Sequence, residues 1–358
     1  VTVNAAQNGS TIWTGDVELH SGGVIDTRGL WVNDFLSGST ATPTLYDGGN
    51  VSLAAYGSVR IDAGAMIDAS SGGWMQGNGR IKTSNGLPVG TGGNITVISN
   101  GFGATLHNSA TIAQSYPGRV YLDGTVRSYG FTRGGALSIA TPAIQIGGDA
   151  SLTLRTVSSI NAEGTSNLTP VDPASVLRLS PGFFAGGGFS QYALYSYQNL
   201  TVAAGTDLEL HGVNLIPNLQ AVSAPSGSDV ADVATARALP SYQPSAPVNL
   251  VLSAIDAFNG NLNVQRGAAI NADPQATISL HARRQLTVDG TINAPAGTIN
   301  LDLTGVPGPW VPIGSAAGTP PYNGPFYAAT QTLWIGADAR LLAPGLVTST
   351  LDPLGRPV

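Results

Sequence analysis

Along the chain, apolar positions alternate with polar or small ones at period two, in runs of about four to six residues. Leu286 and Val288, Ile292 and Ala294, then Ile299, Leu301 and Leu303 form one series; Thr287, Asn293, Asn300 and Asp302 form the other. Alternation of this kind with β-branched enrichment predicts short strands, and the Gly, Asp-Gly and Asn-Gly breaks between runs predict turns. No stretch keeps a 3.6-residue period for more than two turns. The best helical candidate, the Ala-rich segment from Asp229 to Leu239, is short.

The strand pattern itself repeats. Gly48-Gly49-Asn50-Val51-Ser52-Leu53 returns as Gly92-Gly93-Asn94-Ile95-Thr96-Val97 and again as Gly134-Gly135-Ala136-Leu137-Ser138-Ile139. A second phrase falls at Gly64-Ala65-Met66-Ile67-Asp68, Ser109-Ala110-Thr111-Ile112, Gly267-Ala268-Ala269-Ile270-Asn271 and Gly290-Thr291-Ile292-Asn293. The spacing corresponds to a unit of about 21 residues. Sandwich strands do not recur in phase, whereas the coils of a parallel β-helix do, so the expected class is all-β, a β-helical solenoid running from 1 to 358. Three stretches interrupt the repeat and read as loop insertions, near 164–198, 215–247 and 305–332. With these set aside, on the order of 12 coils remain, a rod of about 60 Å at the strand spacing.

Composition narrows the chemistry. Charged residues are 10% of the chain and the formal net charge is −6, with 15 basic residues scattered along the chain. No basic stripe exists to contact phosphates, so nucleic acid is not an expected partner. Cysteine is absent, which excludes disulfides, thiolate metal sites and cysteine nucleophiles. No apolar run reaches the roughly 20 residues of a membrane span. The opening Val1-Thr2-Val3-Asn4 reads as a chain that begins mid-strand.

Four histidines, His20, His107, His211 and His281, stand far apart without a second His at i+2 or i+4, so neither a metal nor a cofactor is expected. Carboxylates are the place to look for catalysis on such a fold, because glycoside hydrolysis needs two of them across the scissile bond. Asp62 and Asp68, six residues apart around a turn, are the local candidates for a polysaccharide hydrolase or lyase. Their competing reading is turn chemistry, the side chains accepting from nearby backbone N–H groups. For ligand contact the aromatic residues of the insertions stand out: Tyr192, Tyr195, Tyr197, Trp310 and Tyr322, because Tyr and Trp stack on sugars and dominate interfaces. Equally, such insertions cover apolar surface along the side of a rod.

Gly49-Asn50-Val51-Ser52-Leu53-Ala54-Ala55 with Ile61-Asp62-Ala63-Gly64-Ala65-Met66-Ile67-Asp68-Ala69-Ser70 resembles the repeats of filamentous-haemagglutinin-type exoproteins. So do Leu200-Thr201-Val202-Ala203-Ala204-Gly205-Thr206-Asp207-Leu208, Leu286-Thr287-Val288-Asp289-Gly290-Thr291-Ile292-Asn293-Ala294 and Leu341-Leu342-Ala343-Pro344-Gly345. The resemblance covers about two thirds of the chain. It implies a right-handed parallel β-helix, export by two-partner secretion through an outer-membrane partner, a secreted or cell-surface location, and adhesion to host glycans or surface proteins. The family's Asn-Pro-Asn-Gly motif is missing, and the family offers no catalytic residues to carry over. The expected role is therefore an interior shaft segment.

Overall fold

The computed structural model describes residues 1–5, 15–40, 42–43, 45–84, 86–99, 118–148, 155–160, 166–170, 176–239, 246–255, 260–303 and 331–346. The chain is all-β with mostly parallel sheets. The main sheet has eight parallel strands in chain order: Thr2–Ala5, Val51–Ala55, Ile95–Ile98, Ala136–Thr141, Gln191–Ser196, Asn249–Ala254, Thr277–Ala282 and Thr298–Asp302. Between most visits to this sheet the chain passes through a second and then a third face; the pass from Ala136–Thr141 to Gln191–Ser196 instead visits the second face twice, at Ala143–Ile146 and Val176–Leu179. After Asn249–Ala254, for example, come Asn261–Val264 and Ala269–Ala272, and then the main sheet again. Eight main-sheet strands are thus described where the sequence predicts about twelve coils, because the interval between paired strands reaches 55 residues from Ala136 to Gln191 and 58 from Gln191 to Asn249.

The repeated phrases mark register. Val51 pairs with Ile95 and Ile95 with Leu137; farther along, Leu250 pairs with Ile278 and Ile278 with Ile299. Inward side chains therefore stack in columns. Leu53, Val97, Ile139, Leu194, Leu252 and Leu280 are at most 1% exposed. Each such side chain contributes roughly 1.5–3 kcal/mol by leaving water.

Asn50 and Asn94 explain the last residue of the Gly-Gly-Asn phrase. The Asn50 side-chain oxygen accepts from the backbone N–H of Asn94 at 2.8 Å, 44 residues on. That of Asn94 accepts from Ala136 at 2.9 Å, 42 residues on. Each Asn adds one hydrogen bond to the ladder beyond the strand. The glycines are fixed by crowding: a Cβ on Gly93 would stand 2.1 Å from the carbonyl oxygen of Gly49, and one on Gly135 would stand 2.0 Å from that of Gly93. Only glycine lets the turns nest at the strand spacing.

The interval of 21 residues occurs in the main sheet between Ser279 and Asn300, whose side chains hydrogen-bond at 3.1 Å. The preceding interval is 28 residues, and those near the N-terminus are 50, 44 and 42. The longer passes carry extra structure. Trp31–Asn33 and Gly73–Met75 pair in parallel as a lateral two-stranded sheet, an element the repeat unit does not contain.

In the stretch near 164–198, expected as an insertion, Ser166–Pro170 pairs antiparallel with Arg155–Ile160 in a separate two-stranded sheet, but later residues join the parallel sheets. Val176–Leu179 and Gln191–Ser196 are strands of the second face and the main sheet. Between them the short helix Pro181–Ala185 lies beside Asp207–Leu210, on the third face. There the carbonyl of Gly187 accepts from Ser128, just beyond Thr125–Arg127. A helical turn thus stands where the rungs above and below have a strand. Aromatic bulk fills the wider interior: Tyr192 meets Phe184 at 4.9 Å and Phe189 at 5.6 Å between ring centroids.

The stretch near 215–247 does leave the stack. Asn214–Pro217 and Ala234–Arg237 form an antiparallel hairpin enclosing a 3-10 turn, Leu219–Val222, and a short helix, Val230–Val233. This clasp folds back on the lateral sheet. Leu215, Ala221, Val230, Val233 and Ala234 bury against Trp31, Met75 and Phe131. Asn33 donates to the carbonyls of Val222 and Ala224 at 3.0 and 2.8 Å, and Arg28 pairs with Asp229 at 2.6 Å. The third insertion lies outside the described residues but for its last two.

Candidate functional site

Asp62 and Asp68 sit on the same coil but in different settings. Asp62 follows the strand Val59–Ile61 and keeps 28% side-chain exposure. Asp68 ends Met66–Asp68 and is 1% exposed. Strand register places Asp26 on one side of Asp68 and Arg127 on the other. Arg127 donates to Asp68 at 2.6 Å, the Ser70 N–H donates to it at 2.9 Å, and Arg28 stands 3.8 Å away. Its oxygens are taken by the protein. Asp68 is a structural anion, and its bond to Ser70 is the turn chemistry the sequence also allows.

Arg28 ties this charge column to the clasp. It donates to both oxygens of Asp26, at 3.0 and 2.8 Å, as well as to Asp229. The Arg28 hydrogen bond holds the Asp26 carboxyl below its usual range. The N–H of Ala231, and then Arg28, do the same for Asp229.

Of the aromatic candidates, Tyr192, Tyr195 and Tyr197 belong to the core and not to a contact loop: they are 1%, 6% and 1% exposed. The Tyr192 hydroxyl donates to the carbonyls of Phe184 and Gly186, each at 3.0 Å, and the Tyr197 hydroxyl to Ser99 at 2.6 Å. Burial pushes both phenols well above their ordinary pKa. Register explains the burial. Tyr192 takes the inward position that Leu137 and Leu250 hold on the neighbouring strands, whereas Tyr195, in register with Ala140 and Ser253, lies on the other side of the sheet and packs with Ala140, Ala193 and Tyr197. Trp310 and Tyr322 lie outside the described residues.

The structure brings together a set of residues that sequence reasoning passed over. Glu18-Leu19-His20 and Glu209-Leu210-His211 share a tripeptide, and each packs against an aspartate of the following rung. Leu19 pairs with Ile61, which sets Asp62 beside His20; Leu210 pairs with Ala272, which sets Asp273 beside His211. His20 Nδ1 lies 2.9 Å from Asp62 and its Nε2 3.2 Å from Glu18. For His211 the corresponding distances to Asp273 and Glu209 are both 2.9 Å. The recurring tripeptide was a readable signal; the aspartates 42 and 62 residues later were not. A third pair, His281 and Asp302, shares register in the main sheet at 3.6 Å.

Beside the first cluster, the guanidinium carbons of Arg60 and Arg119 lie 4.1 and 4.9 Å from the centroid of the Tyr121 ring. No group of three or more His, Asp or Glu among the described residues converges as a metal site. In the two clusters the imidazole bridges its carboxylates, so they face different nitrogens. A surface recess lined by residues that include Arg133, Phe189, Ser190 and Asn214 encloses about 10 Å³, room for roughly one water. No family model, curated protein or solved structure matches the chain.

Proposed function

We propose that the chain is a stretch of right-handed parallel β-helix serving as a structural and adhesive shaft segment of a large secreted or surface-displayed bacterial exoprotein. The observation that carries the reading is the in-register parallel pairing of eight main-sheet strands, with the chain passing through two further faces between visits. Parallel crossovers within one sheet are right-handed in about 98% of cases, which supports the hand. Coils stacked this way build length and stiffness from local contacts. Low charge, absence of cysteine and columns of stacked Asn and Thr suit a chain that threads through an outer-membrane partner and folds outside.

Adhesion is assigned to the insertion near 305–332, which carries Trp310 and Tyr322, the aromatic candidates not placed in the core. The test is binding of the whole chain to a panel of glycans and host-cell surfaces, repeated with residues 305–332 deleted. Binding that disappears with the deletion supports an adhesive shaft, and binding by neither protein reduces the role to a spacer. Turnover of a polysaccharide, abolished by Asp62→Asn, would replace this reading with that of an enzyme.

A further inference from the structure

The two Glu-Leu-His clusters answer to proton concentration because of how their atoms are arranged. Each imidazole lies between two carboxylates, one at each ring nitrogen, at 2.9 to 3.2 Å. A neutral imidazole has one donor nitrogen and one acceptor nitrogen, so one of the two carboxylates then faces a lone pair. Only the imidazolium donates to both. One of the two carboxylates lies on the histidine's own strand and the other on the next rung, so protonation joins two rungs.

We infer that Glu18-His20-Asp62 and Glu209-His211-Asp273 are proton-operated clamps that tighten the stacking of adjacent rungs on acidification. The same arrangement occurs twice, 191 residues apart, on different faces of the molecule. The surroundings agree. Around His20 the charged groups are Glu18 on its own strand and Arg60 and Asp62 on the next; Arg60 lies 3.7 Å from Asp62 and partly offsets it. Around His211 they are Glu209 and Asp273, with Asp207 and Glu209 bridged by Asn271 from the next rung at 3.0 and 2.9 Å. The hydrogen bond to Asp62 raises the pKa of His20 above 6.5, and that to Asp273 does the same for His211. His281 supplies the contrast: it faces one carboxylate, Asp302, and burial lowers its pKa below 6.5.

A histidine with a raised folded pKa binds its proton more tightly folded than unfolded. Its stabilisation is complete below pH 6.5 and is lost as pH rises through the folded value. His281 works in the opposite sense, its contribution being lost as pH falls below 6.5.

The experiment is NMR titration of the histidine ring protons in the full chain, alongside Asp62→Asn and Asp273→Asn. The expected result is midpoints above 6.5 for His20 and His211, each falling toward 6.5 when its own aspartate is neutralised, with His281 below 6.5 and unmoved. Midpoints at or below 6.5 for His20 and His211, or midpoints indifferent to the Asp→Asn changes, would overturn the inference. Melting of the His20→Gln/His211→Gln double variant supplies the second reading. A larger loss of Tm at pH 5.5 than at pH 8 is expected, and equal losses would contradict clamping. Both readings are independent of whether the shaft binds a host.

Discussion

The N-terminal and C-terminal parts of the main sheet bury the same kind of inward column but reach it by different routes. Between Asn249 and Asp302 successive main-sheet strands lie 28 and 21 residues apart. Near the N-terminus the intervals are 50, 44 and 42 residues, and in the first two the extra chain builds the lateral sheet of Trp31–Asn33 and Gly73–Met75. A short coil covers its own apolar side chains by lying on the next coil. A long one carries apolar surface sideways, and here that surface is covered from far along the chain, by the clasp at 214–237. Regular coils are therefore locally sufficient, whereas the lateral layer depends on contacts spanning about 190 residues.

That difference can be broken at chosen points. The largest effect is expected from Gly93→Val, since the added side chain would meet the Gly49 backbone, which has nowhere to move. A loss of more than about 4 kcal/mol, read as failure to fold or as a collapse of the denaturation midpoint, is predicted. Trp31→Ala should cost about 3–5 kcal/mol. Hydrogen exchange should then rise in 214–237 and leave the strands from Asn249 to Asp302 protected; a uniform loss of protection would show that the clasp is not a separate layer.

Asp68→Asn removes a buried anion between Arg127 and Arg28, for which about 3–5 kcal/mol is expected in chemical denaturation, with the cost falling on the clasped end. Smaller again is Asn94→Ala, which deletes one inter-rung hydrogen bond and should cost about 1 kcal/mol. Acid should weaken the clasp. Asp26 and Asp229 have depressed pKa values, so the stability they give the clasp is present above pH 3.8 and lost as pH falls through their folded values. Proteolysis at falling pH should therefore cut first within 214–237.

The same contrast explains what the sequence revealed. The Gly-Gly-Asn phrases and the alternation around Ile292 to Leu301 are local, and they named the strands, their parallel stacking and the columns. Val176–Leu179 and Gln191–Ser196 were hidden because the helical turn Pro181–Ala185 replaces a strand and Tyr192 stands at an inward position where the preceding strand has Leu137, so the repeat loses its spelling. The clasp was legible as a departure from the repeat, but its partner was not, because nothing in residues 214–237 names Trp31 or Asn33. Asp62 and Asp68 looked alike in sequence. Register alone gave one a histidine and the other two arginines.

Stacking in register is the central claim, and the chain's lack of cysteine makes it directly measurable. Ser52, Thr96 and Ser138 are successive outward positions of one main-sheet column. Neighbouring strands lie about 4.8 Å apart, within disulfide reach, while next-but-one strands lie about twice as far. Under mild oxidation the Ser52→Cys/Thr96→Cys protein should form an intramolecular disulfide and the Ser52→Cys/Ser138→Cys protein should not. Preferential cross-linking of Ser52→Cys with Ser138→Cys, or none in either protein, would contradict the stacked rungs.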